Sequence, residues 1–337
     1  MIMLKYVAVL LLMILCVSVR AQDPHFSQYH ASPLTLNPAM TGSFNEDYRF
    51  STNYRQQWWS GGTPFTTATA SFDIKLMQTK IKKGDDLSVG FLGLYDQSMG
   101  GGFKSANFAA SLAYHKALDD TGNSKLGIGF QFSYATRSIS PEALNFASQF
   151  NGTGFDTNIP SNETFTSVRK NYMDVNTGLL YNYKKNKMEL YIGGSVYHLT
   201  RPKINFMANN DAYRLPIRYT IHAGARINAG DGGNQFFVGG LFMQQAGATE
   251  KNIGAAFGLH INNDAQLTVG SWYRINESVI PYIGMDYNNF KIGVTYDVVN
   301  SGLKQNNPKN GSFELSVSMV GRHHKSPPIN YKQDRLF

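Results

Sequence analysis

The sequence predicts an all-β protein: a transmembrane β-barrel of about 14 antiparallel strands, with a plug-like N-terminal segment of different character. Three observations carry this expectation. Apolar residues Phe290, Ile292, Val294, Tyr296 and Val298 alternate with Lys291, Gly293, Thr295 and Asp297, and a period of two places one face of a strand in apolar surroundings and the other in water. Alternating segments recur along the chain, each near or above the roughly 9–11 residues that cross a bilayer at a tilt. Long and short connections between them segregate by parity, as in barrels with short periplasmic turns and longer outer loops.

Composition narrows the function classes. Charged residues make up 16%, below the roughly 25% of soluble domains. Mean hydropathy is −0.29, and no apolar run of spanning length follows the first 21 residues, which argues against a helical membrane protein. The formal charge is +8, or +6 without Lys5 and Arg20. Lys and Arg are scattered rather than clustered, so nucleic acid is not an expected partner. Cys16 is the single cysteine, and it sits in the apolar N-terminal run, which leaves the mature chain without disulfides or thiolate metal sites.

The elements follow in chain order. Residues 1–21 read as a signal peptide: Lys5 gives a charged start, Tyr6 to Val19 are almost continuously apolar, and Val19-Arg20-Ala21 offers small residues where a signal peptidase reads. Residues 22–45 form the plug-like segment. Phe26 to Gly42 has neither helical nor strand periodicity, yet it contains Phe26, Tyr29, Leu34, Leu36 and Met40. Pro33 and Pro38 cannot donate to a ladder and stiffen the chain, and Asn37-Pro38 reads as a turn initiator. The segment precedes the first strand, which puts it on the periplasmic side, packed against the lower lumen. Phe26, Tyr29, Pro33, Asn37 and Pro38 are its expected key residues.

Alternation then marks strands near 46–57, 65–77, 87–97, 103–117, 125–137, 172–184, 188–199, 217–229, 235–246, 252–262, 265–275, 279–287, 290–299 and 312–322, so that residues 46–322 are the barrel. Connections such as 185–187, 263–264 and 288–289 are tight and rich in Asn, Asp and Lys, as turns require. The two longest, 138–171 and 200–216, fall on the outer side. Residues 323–337 read as a periplasmic tail, with Pro327-Pro328 separating the terminal Phe337 from the last strand.

Energetics select the membrane over water. A closed barrel pairs every strand N–H and C=O, the one all-β arrangement hydrocarbon permits, and about 14 strands enclose a bore too wide for side chains to fill. The apolar stripe therefore faces lipid. Arg218, Arg226, Arg274 and Lys291 all fall in the opposite phase, where they avoid the roughly 2–4 kcal/mol cost of a charge at mid-bilayer. That phase is rich in glycine, including Gly127, Gly129, Gly224, Gly254, Gly258, Gly270 and Gly293. Glycine there either relieves strain where the barrel bends or leaves room for another polypeptide or a plug.

The stretch from Gln22 to Gly42, followed by Tyr54-Arg55-Gln56-Gln57-Trp58-Trp59, resembles the opening of the PorP/SprF family of type IX secretion outer-membrane proteins of Bacteroidetes. Similar Gln-Asp-Pro, Phe-Ser-Gln-Tyr, Asn-Pro-Ala and Tyr-Arg-x-Gln-Trp motifs stand there in the same order. Met40 departs from it, standing where the family often has an aromatic. The resemblance implies a cell outer membrane protein without enzymatic activity or cofactor. It would help a surface adhesin, such as a gliding-motility protein, through secretion and hold its C-terminal domain, alongside other type IX secretion subunits and outer-membrane lipid. An outer-membrane hydrolase lacks support, since Gly-x-Ser-x-Gly, His-Glu-x-x-His and Walker motifs are absent.

Partner-binding candidates follow from position. Arg55, Gln57, Trp58 and Trp59 end the first strand near the outer rim, where Trp also belongs to an interfacial aromatic girdle. Arg218, Arg226 and Arg274 give the bore a positive lining with Asp297 as counter-charge. They are either solvated lumen residues or contacts for an acidic or carbonyl-rich guest segment. The alternative function is a passive channel for small or apolar solutes, gated by the N-terminal segment.

Overall fold

The computed structural model describes residues 22–58, 63–78, 80–165, 167–206, 213–230, 232–300 and 311–322. The expected signal peptide, the tail beyond residue 322 and Trp59 lie outside these described residues.

Fourteen strands are present among them: β1 (Tyr48–Gln57), β2 (Phe65–Leu76), β3 (Asp86–Ser98), β4 (Phe103–Ala117), β5 (Ser124–Ile139), β6 (Arg169–Lys185), β7 (Met188–Tyr197), β8 (Arg218–Ala229), β9 (Asn234–Gln245), β10 (Ala248–His260), β11 (Ala265–Arg274), β12 (Ser278–Tyr287), β13 (Phe290–Val299) and β14 (Ser312–Gly321). Each pairs antiparallel with its sequence neighbours, and β1 pairs with β14 from Tyr48 opposite Gly321 to Gln57 opposite Ser312, which closes the barrel. Closure leaves no sheet edge to lipid.

Side-chain phase follows the period-two pattern. Ile221, Ile253, Phe108 and Phe132 are more than half exposed on the outer face, and Ile292 is 45% exposed. Their neighbours Arg226, Asn252, Gln131 and Asp297 are almost fully buried in the interior. In the two-residue turns that follow β6 and β12, Asn186 and Asn288 adopt positive φ of 52° and 50°, the left-handed conformation such hairpins need and Asn tolerates.

The two ends of the barrel differ. The end where β1 begins and β14 finishes carries short turns, while the opposite end carries the connections 140–168 and 198–217. This is the sidedness of outer-membrane barrels, with the short-turn end periplasmic. At the loop end β6 outruns β7: their ladder stops at Thr177 opposite Val196. The chain leaving β7 buries Ile204 and Leu215.

Candidate functional site within the barrel bore

Inward-facing positions of the strands surround residues 22–47 of the chain itself. Phe26, Ser27, Gln28, Tyr29, Leu34, Asn37, Ala39 and Thr41 are all nearly or completely buried. The local conformation follows from the prolines. Pro33 opens a one-turn helix α1 (Pro33–Leu36), and Pro38 opens a 3-10 turn, Pro38–Met40. Both are first-turn positions, where a missing N–H costs nothing. Asn37 between them is extended and accepts the Ala39 N–H at 2.8 Å, which satisfies a donor the short turn leaves open.

The segment runs the length of the bore. Near its start, Asp23 lies against Arg137, His198, Arg218 and Gln245, all at the loop end of their strands or just beyond. Near its finish, the Gly42 N–H donates to Asp73 at 2.8 Å, and Arg49 reaches both Asp73 (2.7 Å) and the Met40 carbonyl, at the turn end. The expected confinement to the periplasmic side and lower lumen is therefore corrected. The groups that match Asp23 and Ser27 stand at the loop end, and the residues before β1 are enough to reach them.

Lumen side chains address main-chain atoms of the segment. Gln131 and the Tyr197 hydroxyl both donate to the Leu34 carbonyl at 3.1 Å. Arg218 donates to Thr35 O (2.9 Å), Ser195 to Leu36 O (2.7 Å) and His115 Nε2 to Ala39 O (2.8 Å). Glu314 accepts two successive N–H groups, Ser27 at 2.7 Å and Gln28 at 2.9 Å. Asn37 Nδ2 donates to the Leu179 carbonyl at 2.9 Å and lies 3.0 Å from His222 Nε2. Buried main-chain groups must be paired somewhere, and here the barrel wall pairs them.

Two lumen glycines make the approach possible. A Cβ on Gly129 would stand 2.4 Å from the Ala39 nitrogen, and one on Gly178 would stand 1.9 Å from Asn37 Oδ1. Gly254 and Gly270 instead face side chains and backbone of neighbouring strands. Of the two explanations for lumen glycine, room for a polypeptide applies to Gly129 and Gly293, the latter beneath Gln28.

The middle of the bore is not uniformly polar, contrary to expectation. Tyr29, Leu36, Ala39 and Met40 pack with Leu180, Phe237, Leu241, Ala256, Trp272, Ile280 and Tyr282 of the wall. His30 stacks on Trp272 at 5.3 Å between ring centroids. A strand apolar on both faces loses its alternation. Phe236-Phe237-Val238 and Val279-Ile280 carry that signal in the sequence.

Charged groups cluster toward the loop end. Ser27 Oγ bonds both oxygens of Asp297 at 2.8 Å and accepts from Arg274 at 2.8 Å. Arg274 is in turn paired with Glu250 (3.1 Å) and Asp297 (3.0 Å). Arg55 lies 3.0 Å from Asp297 and also donates to the His25 carbonyl, whereas Arg226, 2.6 Å from Glu189, stands at the turn end. Asp23 pairs across the bore: His198 Nε2 lies 2.5 Å from its carboxylate, Arg137 3.3 Å and Arg218 3.7 Å. Burial would raise the Asp23 pKa, but these cations outweigh it and hold the carboxyl well below the usual range. Burial also disfavours the His198 cation, yet Asp23 and Asp174, the latter 2.5 Å from Nδ1, raise its pKa on balance.

Arg55, Arg218 and Arg274 thus converge on the N-terminal segment, whereas Arg226 pairs with Glu189 on the next strand. Gln57 follows Arg55 on the same phase of β1, while Trp58 packs edge-on against Phe65 at 4.9 Å and is 38% exposed. Sequence reasoning missed Arg137, His198, Asp174 and Glu314. Each is a charged or titratable residue on, or just past, an inward phase.

A family model described as type IX secretion system membrane protein PorP/SprF matches residues 18–319. The chain belongs to the PorP/SprF family. Among solved structures, this PorP/SprF chain is similar to the toluene transporter TbuX of Ralstonia pickettii, with 10% identity and a TM-score of 0.53, covering 87% of this chain and 94% of that one. It is also similar to a Pseudomonas aeruginosa FadL homologue (12% identity, TM-score 0.49, 84% and 92% covered). The likeness to TbuX is one of fold: a closed outer-membrane barrel. Comparison with curated protein sequences gives no match. The PorP/SprF protein is accordingly an outer-membrane component of type IX secretion.

Proposed function

We propose that this protein is a non-enzymatic part of the export route that helps a surface adhesin across the outer membrane and holds the adhesin's C-terminal domain there. In this role residues 22–45 are a plug, with Phe26, Tyr29, Pro33, Asn37 and Pro38 as its shaping residues, and the bore wall is a polypeptide-binding surface. One observation supports it above others. Gln131, Tyr197, Arg218, Ser195, His115 and Arg49 all donate to main-chain carbonyls of the segment. Such contacts recognise a peptide backbone, here in tight helical turns, rather than a small solute. Arg55, Gln57 and Trp58 of β1 and just beyond it, Trp59 after them in the sequence, and Arg218, Arg226 and Arg274 inside the bore are the candidate contacts for the guest.

The test is co-purification from native membranes followed by mass spectrometry, paired with conductance of the purified protein in planar bilayers. The proposal expects a secreted protein retained through its C-terminal domain and no steady conductance when the barrel is alone. TbuX is described as a toluene transporter, and a passive channel gated by the N-terminal segment is the competing function. Steady conductance or solute uptake by the isolated protein, without any retained partner, would favour the channel.

A further inference from the structure

The segment's contacts differ in how charge is balanced. Asp297 is neutralised by Arg55 and Arg274 of the barrel wall itself and Glu250 by Arg274, with His25 of the segment also 3.0 Å from Glu250, and at Ser27 and Gln28 the segment adds only neutral donors. At the Asp23 end the balance is reversed. Arg137, Arg218 and the His198 imidazole face one carboxylate from the segment, Asp23, and Asp23 is the single acidic residue between Gln22 and Gly42.

The cationic groups are held in place without Asp23. His198 Nδ1 is fixed by Asp174, which Thr200 also contacts at 2.6 Å, and the His198 N–H donates to Asn176 at 3.0 Å. Arg218 lies over the Tyr197 ring at 4.0 Å, and Arg137 lies 5.8 Å from the centroid of the Tyr172 ring. Gln245, which accepts the Asp23 N–H at 2.7 Å, is itself bonded to the Pro216 carbonyl. Removing Asp23 would leave two guanidinium groups and the His198 imidazole with Asp174, and Asp96 near Arg137, as the remaining carboxylates. A preset, desolvated cationic cluster is a site that demands an anion.

We propose that Arg137, His198 and Arg218 form an exchangeable carboxylate site, filled by Asp23 in the resting protein and by a carboxylate of the guest polypeptide when the guest enters the bore. This rests on the bore binding a polypeptide, as proposed above, and names the chemistry by which the guest displaces the plug. Asp23 is suited to exchange because it lies at the loop end of the bore, far along the chain from β1, while the Gly42 end continues into β1. Its side chain keeps 11% exposure, so the site is reachable from the loop end.

The test is calorimetric titration of the full mature chain in detergent with three probes: acetyl-Gly-Glu-Gly-amide, acetyl-Gly-Gln-Gly-amide and acetyl-Gly-Gly-Gly with a free C-terminal carboxylate. In an Asp23→Asn variant the competing occupant is gone. A carboxylate probe should bind at least about tenfold tighter than to the unaltered chain, the glutamine probe should bind to neither, and adding Arg218→Gln should abolish the gain. The third probe decides between a side-chain and a terminal carboxylate as the natural source. Equal behaviour of all three probes toward Asp23→Asn, or a gain that survives the loss of Arg218, would overturn the proposal. Asp23→Asn leaves every wall residue in place, and heat-resistant migration in gels verifies that the barrel is assembled. Partner retention by the unaltered chain is measured separately, so a failed titration with intact retention removes this site and leaves the polypeptide-binding bore standing.

Discussion

Asn37 Oδ1 sits where a Cβ on Gly178 would be, 1.9 Å away, while the Asn37 amide nitrogen reaches across to β6, β7 and β8 through Leu179 O, Gly194 O and His222. The N-terminal segment is thus seated by a side chain that fits only because the wall beneath it has none.

Gly178→Ala together with Gly129→Ala should unseat the segment without preventing barrel closure. At Gly129 the obstacle is backbone at 2.4 Å, which cannot swing aside, and overpacking of this kind costs about 1–3 kcal/mol. The expected outcome is an assembled barrel whose residues 33–41 exchange amide hydrogens faster, by mass spectrometry, than those of the unaltered chain. Unchanged protection there would show that the segment is not held by these contacts.

Asn37→Ala should weaken docking by about 1–3 kcal/mol, because the Ala39 N–H and the Leu179 carbonyl each lose a buried partner. Asn37→Asp should restore only the Ala39 contact, since a carboxylate cannot donate to the carbonyls. Local hydrogen exchange over residues 36–41 ranks the two, with the alanine variant the more exposed.

His198 gives docking a pH dependence whose sign is fixed by its two carboxylate neighbours. Its folded pKa is raised, so its contribution is fully present below the ordinary histidine value of about 6.5 and is lost as pH rises through the raised folded value. Asp23 has a depressed pKa, and its contribution disappears only as pH falls through that low value. A spin label at Gln22→Cys should therefore be immobile at mildly acidic pH and gain mobility on the alkaline side. His198→Gln should flatten the alkaline limb, and a limb that persists in this variant would assign it to another group.

The three candidate arginines should behave differently. Replacing Arg274 leaves Asp297 with Arg55 alone and Glu250 with His25 alone, and replacing Arg226 leaves Glu189 with Lys184; breaking a buried pair from one side costs up to about 3–5 kcal/mol. Arg218→Gln removes a partner of Asp23, which has Arg137 and His198 besides, and leaves a smaller deficit in the barrel. Urea unfolding in detergent should rank Arg274→Gln as markedly less stable than Arg218→Gln. Loss of partner retention without loss of barrel stability is expected of Arg218→Gln.

The fold was legible because lipid on one side and a hollow on the other impose a period of two on every strand. Phe290 to Val299 shows it, and the edges of β2, β4, β7 and β13 fall within two residues of where alternation stops. β6 begins at Arg169, three residues before the pattern does, because its first residues project past β7 and are not constrained by a core.

What the sequence determined by itself was local and periodic: which face of each strand meets lipid, where Pro33 and Pro38 open turns, and the motifs that mark the family. What only tertiary structure decided was the pairing of groups far apart in the chain: Asp23 with Arg137 and His198, Ser27 with Asp297 and Glu314, and Gly178 beneath Asn37. Closing the sheet brings β1 beside β14 and turns every second residue onto one shared axis. Such partners are chosen by the geometry of the circle, which no spacing along the chain encodes.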